Sequence, residues 1–267
     1  MDTLVAHQPQ MAGSLGKKPI SLMSCKKSLA DTYHPTRRVY GRRKGRPLRK
    51  SQAEAFDTLL PVLSVPEDLL REDAAIEIES LFSKPFEQYC MEIGFGGGEH
   101  LTALLQQFPD IGFLGAEPFL DGMATFLRDI TPLPHDNIRV HMDDAMLLVH
   151  SLTDNCLDKI YVLNPDPWPK TRHHKRRIIN QKNLSAFARI LKPGGTLIMA
   201  TDVDDLAEWM VTQCMMHKSF EWSANAAKDW QTPPPEWIET RYAFKGRSAG
   251  RNQIFLVFTL VQEPETE

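Results

Sequence analysis

The chain has 267 residues, of which 42% are hydrophobic and 24% charged; this excludes a collagen-like, low-complexity or wholly disordered chain and leaves material for one large α/β domain or two small ones. No apolar run, residues 254–261 included, approaches the ~20 residues that a membrane-spanning helix needs. The net charge of −3 hides an asymmetry: residues 1–50 carry 12 Lys/Arg against two acids, while the rest of the chain carries 19 against 32, and an acidic body with a basic arm suits a polyanionic partner.

Residues 1–36 are polar, poor in aromatics and without periodicity, which predicts a disordered extension. They lack the apolar run of a secretory signal, and their early cations are Lys rather than the Arg of a transit peptide. Residues 37–50 hold eight cations and no acid, with Tyr40 as a base-stacking aromatic. This stretch is predicted to be a basic RNA-binding arm, because Arg forks match phosphate oxygens and release counterions. Residues 51–267 are assigned to one domain. Cys25, Cys90, Cys156 and Cys214 are scattered without a C-x-x-C, which argues against disulfides and structural zinc and for a reducing, cytoplasmic setting.

From residue 89 short apolar runs alternate with amphipathic stretches. The pattern predicts strands at 89–93, 111–116, 138–142, 157–163 and 196–201. Helices are predicted at 99–108, 119–130, 175–191 and 203–217, and two late strands at 238–244 and 254–261. Alternating elements imply a mostly parallel sheet with helices on both faces. The two late strands, joined by a short Gly/Ser/Arg loop, are expected to pair antiparallel and make the sheet mixed.

Ligands of such sheets bind at the carboxyl ends of the strands. There the sequence places Glu92 before the loop Gly94-Phe95-Gly96-Gly97-Gly98, then Glu117, Asp143 and Asp144, Asp166, and Thr201-Asp202. One acid at a strand end is usually a turn or a helix cap; acids at five consecutive ends crowd like charge on one rim and ask for a ligand. The glycine loop lets a ligand approach the backbone, but it is not a dinucleotide fingerprint, because Glu99 stands where the third glycine belongs. Glu117 suits a ribose diol with either ligand. Glu92 beside the loop would face a pyrophosphate poorly and a cation well, which favours S-adenosylmethionine over NAD. Asp144 can accept from an adenine amine, which both ligands carry.

Asn164-Pro165-Asp166-Pro167-Trp168-Pro169-Lys170 is the most informative segment. Its prolines stiffen the backbone around Asp166. The Trp168 ring can stack on a base while the carboxylate accepts from guanine N1–H and N2–H₂. Arg172, His173, His174, Lys175, Arg176 and Arg177 follow, so phosphate contacts and base reader would adjoin. His173-His174 lacks an acidic or thiol partner at ligand spacing, and no metal is expected.

These residues resemble the bacterial tRNA (guanine-N7-)-methyltransferases. The likeness rests on Met91-Glu92-Ile93-Gly94-Phe95-Gly96-Gly97-Gly98-Glu99-His100, Phe113-Leu114-Gly115-Ala116-Glu117-Pro118, the 165–170 segment running into Arg172–Arg177, and Ala200-Thr201-Asp202, in order over residues 37–261. The resemblance implies a Rossmann-like class I S-adenosylmethionine-dependent methyltransferase fold. It also implies methylation of N7 of the variable-loop guanosine of tRNA, position 46 by convention. Glu92, Gly94, Gly96, Glu117, Asp144 and Asp166 become cofactor contacts, with Asp166 also the central active-site acid. Lys170, Asp202, Thr240, Arg241 and Tyr242 become substrate contacts. The family's T-x-x-E element falls on Thr240-Arg241-Tyr242-Ala243, with alanine in the acid position. Two rivals stay open: an NAD-dependent oxidoreductase, and a tRNA-binding protein that keeps the fold without catalysis. Monomer and homodimer are equally compatible with the sequence, and no membrane partner is expected.

Overall fold

The computed structural model describes residues 45–261. The expected extension 1–36 and residues 37–44 of the basic arm lie outside the described residues. Helix α1 (Lys50–Leu63) precedes every predicted element, and its buried Gln52, Ala55, Phe56 and Leu63 recur on one helical face. The chain then runs along the sheet edge, where the Val65 N–H donates to the Val140 carbonyl at 2.9 Å.

The alternating body follows as β1 (Gln88–Ile93), α2 (Glu99–Gln107), β2 (Ile111–Ala116), α3 (Leu120–Ile130), β3 (Ile138–His141), α4 (Ala145–Ser151), β4 (Leu157–Leu163), α5 (Gln181–Ile190), β5 (Leu191–Thr201) and α6 (Asp204–Met215). It closes with β6 (Phe220–Trp222), α7 (Ala227–Gln231), α8 (Arg241–Ser248) and β7 (Ile254–Leu260). One seven-stranded sheet runs in the order β3-β2-β1-β4-β5-β7-β6. Strands β1 to β5 are parallel, and β7 lies antiparallel between β5 and β6.

The two-residue period of the strands divides the core between the faces. Met91, Ile160, Val162, Leu197 and Met199 pack with Leu148 of α4, Phe187 of α5 and Met210 of α6. Their neighbours Cys90, Tyr161, Leu163, Ile198 and Ala200 pack on the other side with Phe56 of α1, Leu101 of α2 and Phe126 of α3. Burial on both faces explains why these strands read as apolar runs.

Three expectations change. Residues 238–244 form no strand: both edges of β7 are taken by β5 and β6, and Thr240 caps α8 by accepting from the Ala243 N–H at 3.2 Å. The outermost antiparallel strand is β6, whose three residues are too few to show alternation. The helix expected at 175–191 is divided. Thr171–Arg176 is a 3₁₀ turn, and α5 starts only after Asn180, whose side chain accepts from the Asn183 N–H at 3.0 Å. Helices α1 and α4 had no counterpart in the pattern.

Gly98 turns the chain into α2 with φ +75°, and a Cβ there would collide with the Phe126 ring; Gly94, at φ +73°, faces open space. Gly94→Ala carries only the left-handed backbone cost, about 1–2 kcal/mol, while Gly98→Ala adds about 1–3 kcal/mol of overpacking. Urea denaturation should rank stability as wild type, then G94A, then G98A.

Candidate active site

The parallel strands end level: Ile93 pairs with Ala116, Ala116 with His141, and Leu163 with Ala200. Chain direction diverges at β1, flanked by β2 and β4, so a crevice opens at that edge. The acids of all five strand ends gather there. Those after β1, β2, β3 and β5 each have a donor. Glu92, 3% exposed, receives Nδ1 of the equally buried His100 at 2.9 Å. Glu117 accepts the Gly96 and Phe119 N–H groups at 2.6 and 2.8 Å. Asp143 accepts from the Asp144 N–H, and Asp144 caps α4 through the Met146 N–H, both at 3.0 Å. Buried Asp202 accepts from Arg251 Nε at 2.8 Å.

Burial pushes Glu117 up to about 6; the two N–H donors pull against it, and Asp166 and Glu92 push with it. Asp166 and Glu92 thus lie within electrostatic reach of Glu117. Desolvation also raises the Asp166 carboxyl above its ordinary value. Above the rim, Gly94 and Gly96 hold φ +73° and +58°, and a Cβ on either would meet nothing within 4 Å. The loop therefore presents an open floor ringed by acceptors, which suits a ligand rich in N–H and O–H donors and positive charge.

The segment 164–170 is held from both ends. Asn164 and Trp168 take left-handed φ values of 47° and 44°, and such outliers persist only where the surroundings impose them. The Asn164 N–H donates to the Ala200 carbonyl at 2.7 Å, and Gln253 donates to its side chain at 2.9 Å. Arg177, 2% exposed, donates from Nε to the Pro167 carbonyl at 2.9 Å, pairs with Asp205 and stacks over Trp209 at 5.0 Å. Arg176 covers the Trp168 ring at 4.9 Å. The basic run expected to face phosphate is thus divided: Arg177 and Arg176 brace the loop, while Lys170, Arg172 and Lys175 stay exposed.

Helix α8 lies across the mouth. At its start Arg241 pairs with Glu99 over Gly97. Farther along, Gly246 packs so closely on the Asp202 carboxylate that no side chain would fit. Tyr242 and Phe244 expose half their surface. Ala243 is buried at the third helical position, where an acid would close a capping box on the Thr240 N–H.

All the expected contacts, Glu92, Gly94, Gly96, Glu117, Asp144, Asp166, Lys170, Asp202, Thr240, Arg241 and Tyr242, belong to segments that meet at this edge. Sequence reasoning missed His100, Glu99, Arg251 and the bracing role of Arg177. His100 had one available signal: a strand, a tight turn and a helix bring the first helical turn back beside the strand end. Among the described residues no group of three His, Cys, Asp or Glu could hold a metal ion. His173 and His174 pack edge-on against Trp168 and Trp209. The thiols of Cys90, Cys156 and Cys214 are buried and pushed up to about 12, which makes them inert.

Arg177→Ala should cost about 2–3 kcal/mol in urea denaturation, because the charged hydrogen bonds and the packing are lost together. Arg177→Lys should recover less than half, since an ammonium cannot reach carbonyl and carboxylate as a planar fork does.

A family model described as "Putative methyltransferase" matches residues 87–256. A tRNA (guanine-N(7)-)-methyltransferase of Rhizobium meliloti (strain 1021) is 45% identical over 223 residues, covering 84% of this chain and 95% of the relative. The protein of that name from Rhodospirillum rubrum is 42% identical over 221 residues, covering 83% and 87%. A 16S rRNA methyltransferase structure, KamB, aligns with 66% of this chain and 89% of its own at 14% identity and a TM-score of 0.47. With 45% and 42% identity to these two relatives over most of both lengths, the chain belongs to the tRNA (guanine-N7-)-methyltransferase family.

Proposed function

We propose that this chain transfers the methyl group of S-adenosylmethionine to N7 of a guanine in tRNA, and that the guanosine is the one in the variable loop. The observation that carries the reading is the meeting of carboxylates from five strand ends around the open glycine loop, beside the braced Asp166–Trp168 segment.

The residues fit the donor. Glu92 offers a buried carboxylate for an ammonium, Glu117 a partly desolvated one for a ribose diol, and Asp144 an acceptor for an adenine amine. When bound, S-adenosylmethionine supplies an electrophilic methyl group that passes to the in-plane N7 lone pair as its C–S bond breaks. N7 carries no proton, so no residue acts as a base, and the task of the chain is positioning and electrostatics. Asp166 orients the guanine by accepting from its N1–H and N2–H₂, and its negative charge offsets the positive charge growing on the ring. Trp168, fixed under Arg176, supports the base plane. Lys170, Asp202, Thr240, Arg241 and Tyr242 line the substrate side, and Lys170, Arg172, Lys175 and the basic arm meet phosphate.

A second reading, a tRNA-binding protein without catalysis, is favoured by Ala243 in the family's acid position. Single-turnover reaction of methyl-labelled S-adenosylmethionine with unmodified tRNA separates the two. The expected result is label in 7-methylguanosine, lost when the variable-loop guanosine is replaced by adenosine. Retained label would overturn the position, and tRNA binding without transfer would establish the second reading. Asp166→Asn should lower single-turnover methyl transfer by about 10²–10³.

Glu117 supplies a pH signature. Because its carboxyl lies near 6 in the free protein, the two-acceptor form is complete above that value and is lost as pH falls through it. Adenosine affinity measured by calorimetry should fall by up to about tenfold per pH unit below 6. Glu117→Gln should bind more weakly and show a flatter profile.

A further inference from the structure

We infer that His100 is a positioning residue for the methyl donor: it holds one oxygen of Glu92, so that the carboxylate stays fixed for the ligand. This rests on the reading of Glu92 as the acid that meets the donor's ammonium.

The two side chains are 3% and 2% exposed and sit eight residues apart. An ionised carboxylate buried to that degree is costly unless it is hydrogen-bonded. His100 Nδ1 lies 2.9 Å from Oε2, within hydrogen-bond distance. Oε2 is thus engaged and Oε1 is left for a ligand. The imidazole is held on two sides: its ring packs edge-on against Tyr161 at 5.1 Å and lies tilted against Trp237 at 6.0 Å. Trp237 is itself fixed against Phe255 of β7 at 4.8 Å. The neighbouring Glu236 ties the same proline-rich segment to Lys159 Nζ at 2.8 Å. His100 is therefore locked by β4 on one side and by the segment leading into α8 on the other. A carboxylate held by a locked donor keeps its direction before the ligand arrives, which lowers the ordering cost of binding.

Calorimetry with two ligands on the full chain tests this. S-adenosylmethionine carries the ammonium, and adenosine lacks it but shares the ribose and adenine. His100→Leu should weaken S-adenosylmethionine about tenfold or more, the loss expected for a hydrogen bond to a charged group, and leave adenosine and tRNA affinities unchanged. His100→Asn, whose amide N–H can reach the same oxygen, should recover most of that loss. In the Glu92→Gln background His100→Leu should add little, because the two act through one contact. If His100→Leu fails to fold, His100→Met carries the same comparison. Equal weakening of both ligands, or full additivity with Glu92→Gln, would overturn the inference. If wild-type protein takes up no S-adenosylmethionine, the methyltransferase reading itself fails, a result distinct from either.

Discussion

Everything at the working edge of the sheet depends on keeping several carboxylates close together. Burial, with a smaller push from the like charges of Asp166 and Glu92, raises Glu117 to about 6, which corresponds to roughly 2 kcal/mol against folding at neutral pH. That cost is absent below the ordinary carboxylate range and complete above about pH 6. The chain meets it with donors on most of these acids: two backbone N–H groups for Glu117, one each for Asp143 and Asp144, an imidazole for Glu92 and a guanidinium for Asp202. Each donor satisfies its acid only in part, which leaves acceptor capacity facing the open floor of the glycine loop.

A second constraint is stiffness. A guanine positioned for in-line transfer must be held within a fraction of an ångström, and a seven-residue loop would not do that unaided. Three prolines limit its backbone, left-handed Asn164 and Trp168 bracket Asp166, and Arg177 holds the Pro167 carbonyl. Helix α8 is tied at two points, by Arg241 to Glu99 and by its close approach to Asp202. The glycine loop, the 164–170 segment and α8 thus share one frame. Of the cations that follow the 164–170 segment, Arg177 is turned inward as a brace, while the exposed Arg172 and Lys175 suit a phosphate backbone.

The sheet was legible because β1, β2, β4 and β5 are buried on both faces and read as apolar runs ending in polar residues. Their acids could be assigned to one edge from topology alone. Residues 238–244 misled because Trp237, Ile238, Tyr242 and Phe244 look strand-like locally, whereas the capping bond of Thr240 and the filled edges of β7 decide for a helix. Arg177 misled in the same way. Inside a run of cations it carries no local mark of burial, and its partners Asp205 and Trp209 lie about thirty residues away.

Sequence by itself determined the alternating architecture, the acids at the strand ends, the glycine loop and the stiff proline–tryptophan segment. Each of these is written in local residue types and in periodicities of two or 3.6. Only the tertiary structure decided which cations face inward, that His100 holds Glu92, and that the segment before β7 becomes a capped helix across the mouth. Those outcomes depend on contacts between residues distant in the chain, and no local pattern specifies which side chain a buried charge will find as its partner.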